Sequence, residues 1–157
     1  MDKKKKYEEL IPQVKALIEN ETDEVGVQAN VAAALHQAFD DYFWTGFYMQ
    51  RNGNMLRLGP FQGPPACYSI PIGKGVCGTA FAQNKTIVVP DVELFPGHIA
   101  CSSLSRSEIV VPIHNGRGEV IGVLDIDSKK LNAFDETDAS YLEKIMQLLT
   151  CEVYSAE

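Results

Sequence analysis

The sequence predicts an α+β fold, in which a central, mostly antiparallel sheet is packed on one face by helices from both ends of the chain. Three observations lead to this prediction: helical periodicity at both ends, two-residue alternation between them, and Asn-Gly pairs where strands join. Strands that are enclosed by helices, rather than alternating with them, are typical of this fold class. A chain of 157 residues has the size of one domain, so we expect residues 1–157 to form a single domain.

Helices are predicted at both ends of the chain. Residues 5–20 place apolar side chains at steps of three and four, which indicates an amphipathic helix. Because proline disrupts a helix interior, this helix either begins near Pro12 or is kinked there. A second, alanine-rich helix is predicted over about residues 25–39, and an amphipathic C-terminal helix over residues 134–154.

Strands are predicted between the helices. The segments with strand character are residues 42–50, 52–61, 66–72, 86–91 and 107–128. Asn52-Gly53 predicts a hairpin between the first two, and Asn115-Gly116 predicts a second hairpin within the last segment. A short helix is expected between the third and fourth strands.

Composition argues against two classes of partner. A net charge of −7 leaves few cations for phosphate contacts, so nucleic acid is not an expected partner. The apolar runs are far shorter than the roughly 18 residues that a membrane-spanning helix needs, so membrane residence is not expected. The N-terminal segment turns acidic where an export signal would become apolar, so we expect a cytoplasmic protein.

A glycine motif at residues 73–78, “GKGVCG”, matches the dinucleotide-binding pattern Gly-x-Gly-x-x-Gly. That pattern requires a long crossover helix before the next parallel strand. Here the next strand is predicted from Thr86, which leaves too little chain for such a helix. The glycines therefore predict a tight turn that opens a short helix.

The chain has four cysteines, Cys67, Cys77, Cys101 and Cys151. No Cys-x-x-Cys pair is present and the three histidines are scattered, so no metal site is predicted. The cytoplasm keeps thiols reduced, so a permanent disulfide framework is not expected. Cys151 lies on the apolar C-terminal helix, where a small buried thiol usually packs.

Cys101 has a different setting, because it ends the turn-rich stretch “FPGHIAC” and is followed by serines. It lies in residues 92–106, the longest segment without clear periodicity, and loops of that length often carry function. A polar, accessible loop is where a thiol can ionise and react. A sulfenic acid formed there would condense with a second thiol in reach, for which Cys67 and Cys77 are the candidates.

Two acidic residues, Asp125 and Asp127, are two positions apart on a predicted strand, so both side chains point to the same face. Glu108 begins the neighbouring arm of the same hairpin and could join them. If the face is open to water, the pair has no special role. If it is the floor of a pocket, crowded carboxylates raise one another's pKa and can hold a shared proton near neutral pH.

Aromatic residues cluster on the first predicted strand. Alternation sends Trp44 to one face, and Phe43 and Phe47 to the other. At least one of these sets is expected in the core. The other interpretation of Trp44 is the wall of a pocket.

A longer stretch resembles a known family. Residues 59–113, which include “GKGVCG” and “FPGHIAC”, and residues 122–128, “GVLDIDS”, are similar to the free methionine-(R)-sulfoxide reductases, enzymes built on the GAF fold. The resemblance covers about residues 44–128. It implies a six-stranded antiparallel GAF sheet, terminal helices packed on one face, and a homodimer that packs through helices.

The resemblance also implies a role for each motif residue. Cys101 corresponds to the nucleophile that attacks the sulfoxide sulfur, Cys67 to the resolving cysteine, and Cys77 to an accessory cysteine that can also form a disulfide. The substrate-binding residues that it implies are Trp44 and Tyr48, as an aromatic wall, and Glu108, Asp125 and Asp127, as an acidic cluster.

The activity that this resemblance implies is thiol-dependent reduction of free L-methionine-(R)-sulfoxide, without metal or flavin, with a disulfide that thioredoxin resets. A sulfoxide sulfur accepts a thiolate only when its oxygen is protonated or strongly hydrogen-bonded, and clustered carboxyl groups can supply that proton. An ionised carboxylate would also select the ammonium group of a free amino acid. The alternative is a non-catalytic GAF sensor that binds a small molecule without turnover.

Overall fold

A computed structural model of the chain describes residues 2–155. The strands are β1 (Trp44–Arg51), β2 (Met55–Gln62), β3 (Ser69–Pro71), β4 (Ile87–Val89), β5 (Ser107–His114) and β6 (Val120–Ser128). The helices are α1 (Lys3–Ile18), α2 (Glu24–Ala38), α3 (Gly75–Gln83) and α4 (Glu136–Leu149), with a 3₁₀ turn at Val92–Leu94 and a π-helical turn at Thr150–Tyr154.

Six strands form one sheet in the order β3-β2-β1-β6-β5-β4, and every neighbouring pair is antiparallel. Two hairpins, β1–β2 and β5–β6, supply the four central strands, because β6 lies beside β1. The predicted antiparallel sheet and its six strands are confirmed. The pairing of β6 with β1 brings residues that are about 80 positions apart into one surface, with Trp44 opposite Asp127.

The terminal helices α1, α2 and α4 cover one face of the sheet, as the sequence predicted. The buried side chains of α1 are Tyr7, Leu10, Val14 and Ile18, and those of α4 include Leu142, Ile145, Met146 and Leu149. They pack on the alternate residues of the central strands that point to this side, such as Phe47, Ile109 and Leu124. Burial of each such side chain stabilises the fold by about 1.5–3 kcal/mol.

A buried carboxylate on α4 ties three parts of this helical layer together. Asp138, which is 0% exposed, accepts hydrogen bonds from Tyr7 at 2.6 Å and from Tyr42 at 3.0 Å. Lys3 at the start of α1 adds a charged partner at 2.6 Å. One polar network, in which Asp138 is hydrogen-bonded to each of its partners, therefore joins the starts of α1 and α4 to the chain that enters β1.

The opposite face of the sheet is covered by α3 and the irregular segments. A second apolar cluster lies there, and it includes Trp44, Tyr48, Val76, Cys77 and Val110. The helix α3 begins at Gly75, whose φ of 63° belongs to the left-handed region that glycine tolerates. The prediction that the glycine motif forms a turn opening a short helix is confirmed.

Two local expectations need correction. The helix α1 begins at Lys3, so Pro12 lies inside it rather than at its start; the proline is exposed, and water can solvate the Glu8 carbonyl that loses its partner. The second hairpin turns over residues 115–119, and its left-handed position is Gly118 rather than Gly116. Within residues 2–155, no helix is both long and apolar enough to cross a membrane.

Candidate active site

A pocket of about 560 Å³, including its open mouth, lies on the sheet face opposite the terminal helices. Its floor is the start of β1, the start of β5 and the end of β6, and its walls are the first turn of α3 and the irregular segments that follow β2 and precede β5. The predicted site residues that line it are Trp44, Tyr48, Cys77, Cys101, Glu108, Asp125 and Asp127. Seven of the eight predicted site residues therefore line one cavity, and the eighth, Cys67, is bonded to Cys101 at its edge.

The three predicted acids meet on the pocket floor because of strand register. Glu108 on β5 is paired with Asp127 on β6, and alternation puts Asp125 on the same face as Asp127. Of the two alternatives for these acids, the structure shows the pocket floor. Ser105, just before β5, donates a hydrogen bond to Asp127 Oδ1 at 2.9 Å.

Burial strongly favours the protonated form of this cluster. It raises the pKa of Glu108 to about 8, with the charge of Asp127 adding to the shift. The pKa of Asp125 is raised well above its usual range by burial and by Glu108, and that of Asp127 by burial and by Asp125. The hydrogen bond from Ser105 opposes the shift at Asp127. The cluster therefore holds protons at neutral pH, as carboxyl groups that are largely removed from water do.

His98 lies beside the acids, with its Nε2 atom 3.6 Å from Glu108 Oε1. Burial lowers the pKa of His98 and raises that of Glu108, so both groups are neutral near pH 7 and the contact is not an ion pair. His98 consequently supplies no positive charge to the Cys101 thiol at that pH.

Cys101 and Cys67 form a disulfide with their Cα atoms 5.4 Å apart. Both residues are half-buried and come from irregular segments at the edge of the pocket. The bond joins two segments that are 34 residues apart in the chain. The sequence had left Cys67 and Cys77 as alternative partners of Cys101, and the structure pairs it with Cys67.

Cys77 is a free thiol in the first turn of α3 and is 3% exposed. Burial, together with the neighbouring charge of Asp125, raises the pKa of this thiol well above its usual range, so it is protonated. Cys151 was expected to pack in the C-terminal helix, and this was wrong: it is exposed. The helical period itself accounts for this, because position 151 comes nine residues, or about two and a half turns, after Leu142 and so faces away from the buried stripe.

The aromatic wall is formed by Trp44 and Tyr48, whose rings stack with centroids 5.9 Å apart. Phe43 lies on this side too, and not with Phe47 as alternation suggested, because β1 begins only at Trp44. Both polar atoms of the wall are hydrogen-bonded to main-chain carbonyls: Trp44 Nε1 donates to Pro64 at 3.0 Å and Tyr48 Oη donates to Cys67 at 2.8 Å.

A cation could be held by Cys77, Glu108 and Asp125, whose ligand atoms lie within 4.8 Å of one another. These residues are far apart in the chain, so their spacing could not reveal the group. The carboxyl groups and the thiol would have to lose their protons to bind a metal. The expectation that the protein needs no metal stays a prediction.

Sequence reasoning missed Ser105 as a member of the site. It was seen only as part of a serine-rich loop after Cys101. A usable signal was its position three residues before Glu108, at the point where the loop enters the strand that carries the acid.

Comparison with known proteins agrees with this arrangement. The GAF domain family matches residues 23–153. The chain is 56% identical over 147 residues to “GAF domain-containing protein A” of Dictyostelium discoideum, covering 94% of this chain and 92% of that protein. It is 42% identical over 149 residues to “Free methionine-R-sulfoxide reductase” of Escherichia coli K12, covering 95% and 89%.

The same relationship is seen in solved structures. The X-ray structure of free methionine-R-sulfoxide reductase from Neisseria meningitidis, in complex with its substrate, superposes with a TM-score of 0.95 at 50% identity, covering 99% of this chain and 93% of that one. The chain therefore belongs to the GAF domain family and, within it, to the group that includes the free methionine-R-sulfoxide reductases.

Proposed function

We propose that this protein reduces free L-methionine-(R)-sulfoxide to L-methionine by thiol chemistry. The observation that carries the proposal is a disulfide between Cys67 and Cys101 at the edge of a pocket whose floor holds three carboxyl groups with raised pKa values. Sulfoxide reduction needs both parts, since a thiol must take the oxygen and an acid must make that oxygen easier to transfer.

In the first step, the Cys101 thiolate attacks the sulfoxide sulfur while a carboxyl proton passes to the sulfoxide oxygen. The hydroxyl group then moves from the substrate sulfur to the Cys101 sulfur as the S–O bond of the substrate and the new S–S bond both break, so that methionine leaves with two more electrons on its sulfur and Cys101 becomes a sulfenic acid. In the second step, the Cys67 thiol attacks the Cys101 sulfur. A disulfide forms and the sulfenic oxygen leaves as water.

We assign the proton to the pair Glu108 and Asp125, which have carboxyl oxygens within 4.8 Å of each other. Asp127 is less buried, and the Ser105 hydroxyl stabilises its ionised form. Asp127 is therefore the member that ionises most readily when a substrate ammonium group enters. A methionine sulfoxide within a peptide lacks that ammonium group, so this carboxylate selects the free amino acid.

The proposal is tested by turnover with dithiothreitol on three substrates: the free R epimer, the free S epimer and a peptide-bound sulfoxide. We expect loss of the free R epimer alone, measured by chromatography of methionine and its sulfoxides. Equal activity on the peptide would refute the free-substrate assignment. Binding without turnover of any of the three would instead indicate a GAF sensor.

We further propose that thioredoxin, or a similar dithiol, reduces the disulfide in the cytoplasm. Both cysteines are half-buried rather than enclosed, which leaves a path for an attacking thiolate. We also propose that residues 1–157 are one domain that forms a homodimer through its helices. Exposed apolar side chains on α1 and α2, Leu17 at 43% and Val25 at 64%, support this, and sedimentation equilibrium tests it.

A further inference from the structure

The segment that carries Cys67 has no regular secondary structure of its own. Residues 63–68 connect β2 to β3, and three hydrogen bonds to their carbonyl groups hold them in place. One comes from the main chain, from Leu58 N to the Tyr68 carbonyl at 3.0 Å. The other two come from the pocket wall, from Trp44 to Pro64 at 3.0 Å and from Tyr48 to Cys67 at 2.8 Å.

The bond from Tyr48 reaches the residue that carries the second sulfur. A carbonyl oxygen only accepts, so the Tyr48 hydroxyl must be the donor. Tyr48 is 1% exposed, and burial together with the acids of the pocket raises its pKa far above the usual range, which keeps the hydroxyl protonated. Its proton is engaged with the main chain of Cys67 and is not directed at a substrate oxygen.

From this contact we propose that Tyr48 is a positioning residue for disulfide formation, the second step of the proposed function. Its ring belongs to the substrate wall, but its hydroxyl fixes the main chain from which the Cys67 sulfur reaches Cys101. A disulfide forms only when the two Cα atoms lie within about 4.4–6.8 Å of each other. The observed separation is 5.4 Å, so an excursion of a few ångströms in this loosely bonded segment is enough to prevent the reaction.

The Cys67 thiolate attacks the sulfur of the Cys101 sulfenic acid, an S–S bond forms, and the S–O bond breaks. The hydroxide that leaves takes up a proton and becomes water. Nothing in this step involves the substrate, because methionine has already been released, so its rate reports the position of Cys67 and not the quality of substrate binding.

Tyr48→Phe separates the two parts of the side chain, since it keeps the ring and removes the hydroxyl. Trp44 does not allow such a separation, because its ring and its N–H group are removed together. Tyr154→Phe is the matched control: Tyr154 is also buried and its hydroxyl also makes a hydrogen bond, which it accepts from Gln28 Nε2 at 2.7 Å, but it lies in the helical layer on the opposite face.

The experiment is a single turnover of the fully reduced full-length chain, stopped at intervals with acid and with a sulfenic-acid trap, and analysed by mass spectrometry. For Tyr48→Phe we expect the ratio of the rate of Cys67–Cys101 disulfide formation to the rate of methionine formation to fall about tenfold, the effect of losing one hydrogen bond on the second step alone. The sulfenic acid should accumulate. Tyr154→Phe should change neither rate.

Two results would overturn the proposal: an unchanged rate of disulfide formation in Tyr48→Phe, or equal slowing of both steps. A second arm keeps the proposal independent of the substrate assignment. There, one equivalent of hydrogen peroxide oxidises Cys101 to the sulfenic acid directly, and disulfide formation is followed as before. If the parent chain forms no methionine, the proposed function fails, while a slow disulfide step in the peroxide arm still supports the position assigned to Tyr48.

Discussion

Glu108 on β5 lies directly opposite Asp127 on β6, and burial together with this second carboxyl group raises the pKa of Glu108 to about 8. In the unfolded chain the same group has its ordinary value near 4.5. Between about pH 4.5 and pH 8, the folded protein therefore binds a proton that the unfolded chain has released.

The first prediction follows from that difference. Between about pH 4.5 and pH 8 the folded state binds more protons than the unfolded state, so the free energy of unfolding should fall as pH rises, by up to about 1.4 kcal/mol per pH unit for this group. Urea unfolding at pH 5, 6, 7 and 8 measures it. Glu108→Gln, which cannot lose a proton, should flatten the profile. An equally steep profile in that variant would assign the effect to another group.

The second prediction concerns the two cysteines of the disulfide. Cys101→Ser should abolish methionine formation even in a single turnover, because no other thiol takes the oxygen. Cys67→Ser should release one equivalent of methionine and then stop, with a sulfenic acid on Cys101 detectable by mass. Steady-state turnover with thioredoxin that is unchanged in Cys67→Ser would remove Cys67 from the resolving role.

The third prediction concerns the space that Gly46 leaves below the aromatic wall. A Cβ atom there would lie 2.4 Å from Phe61 Cβ and 2.6 Å from the Trp44 ring, so a methyl group must displace both side chains. Gly46→Ala should destabilise the protein by about 1–3 kcal/mol and raise KM, because the indole moves into the pocket. Thermal unfolding and substrate titration measure the two effects.

Gly26→Ala is the control for this substitution. Gly26 lies in α2 with no atom within 4 Å of the added carbon, so alanine should leave KM unchanged and keep or raise stability by up to about 1 kcal/mol. A Gly46→Ala variant that bound substrate as tightly as Gly26→Ala would contradict the prediction, because it would show that the aromatic wall accommodates the added methyl group.

The fourth prediction separates stability from activity. Asp138→Ala removes the shared partner of Lys3, Tyr7 and Tyr42, and leaves two buried hydroxyls with only each other. The expected loss is about 3–5 kcal/mol, seen in urea unfolding. The fraction that remains folded at low temperature should keep its kcat, since this network lies on the sheet face away from the pocket. A lowered kcat in that fraction would indicate coupling between the two faces.

Local features of the fold could be predicted from the sequence because they depend on neighbours in the chain. The first hairpin follows from Asn52 and Gly53, both of which adopt positive φ in the turn. In the second hairpin, the glycine with positive φ is Gly118 and not the predicted Gly116. A Cβ on Gly116 would meet the Ser155 carbonyl at 2.4 Å, so that glycine is required by a contact with a distant part of the chain.

The site was predictable only in part. Alternation placed Asp125 and Asp127 on one face, but not whether that face was covered, since coverage depends on α3 and the loops from elsewhere in the chain. Cys77 contacts Asp125, and the Tyr48 hydroxyl contacts Cys67. Each contact joins separate segments of the chain, and no sequence pattern links those segments. The exposure of Cys151 could have been predicted, because position 151 lies half a turn from the buried Leu142 in the helical period.

The two faces of the sheet have a consequence for how such a chain can change over evolutionary time. Along β6, Val123 and Asp125 point to the face of the sheet that carries the pocket, while Leu124 and Ile126 point to the helices. Selection for a new ligand and selection for a stable fold thus act on alternate residues of the same strand. A lineage can replace one set while the other stays constant, and so acquire a different chemistry at little risk to its folding.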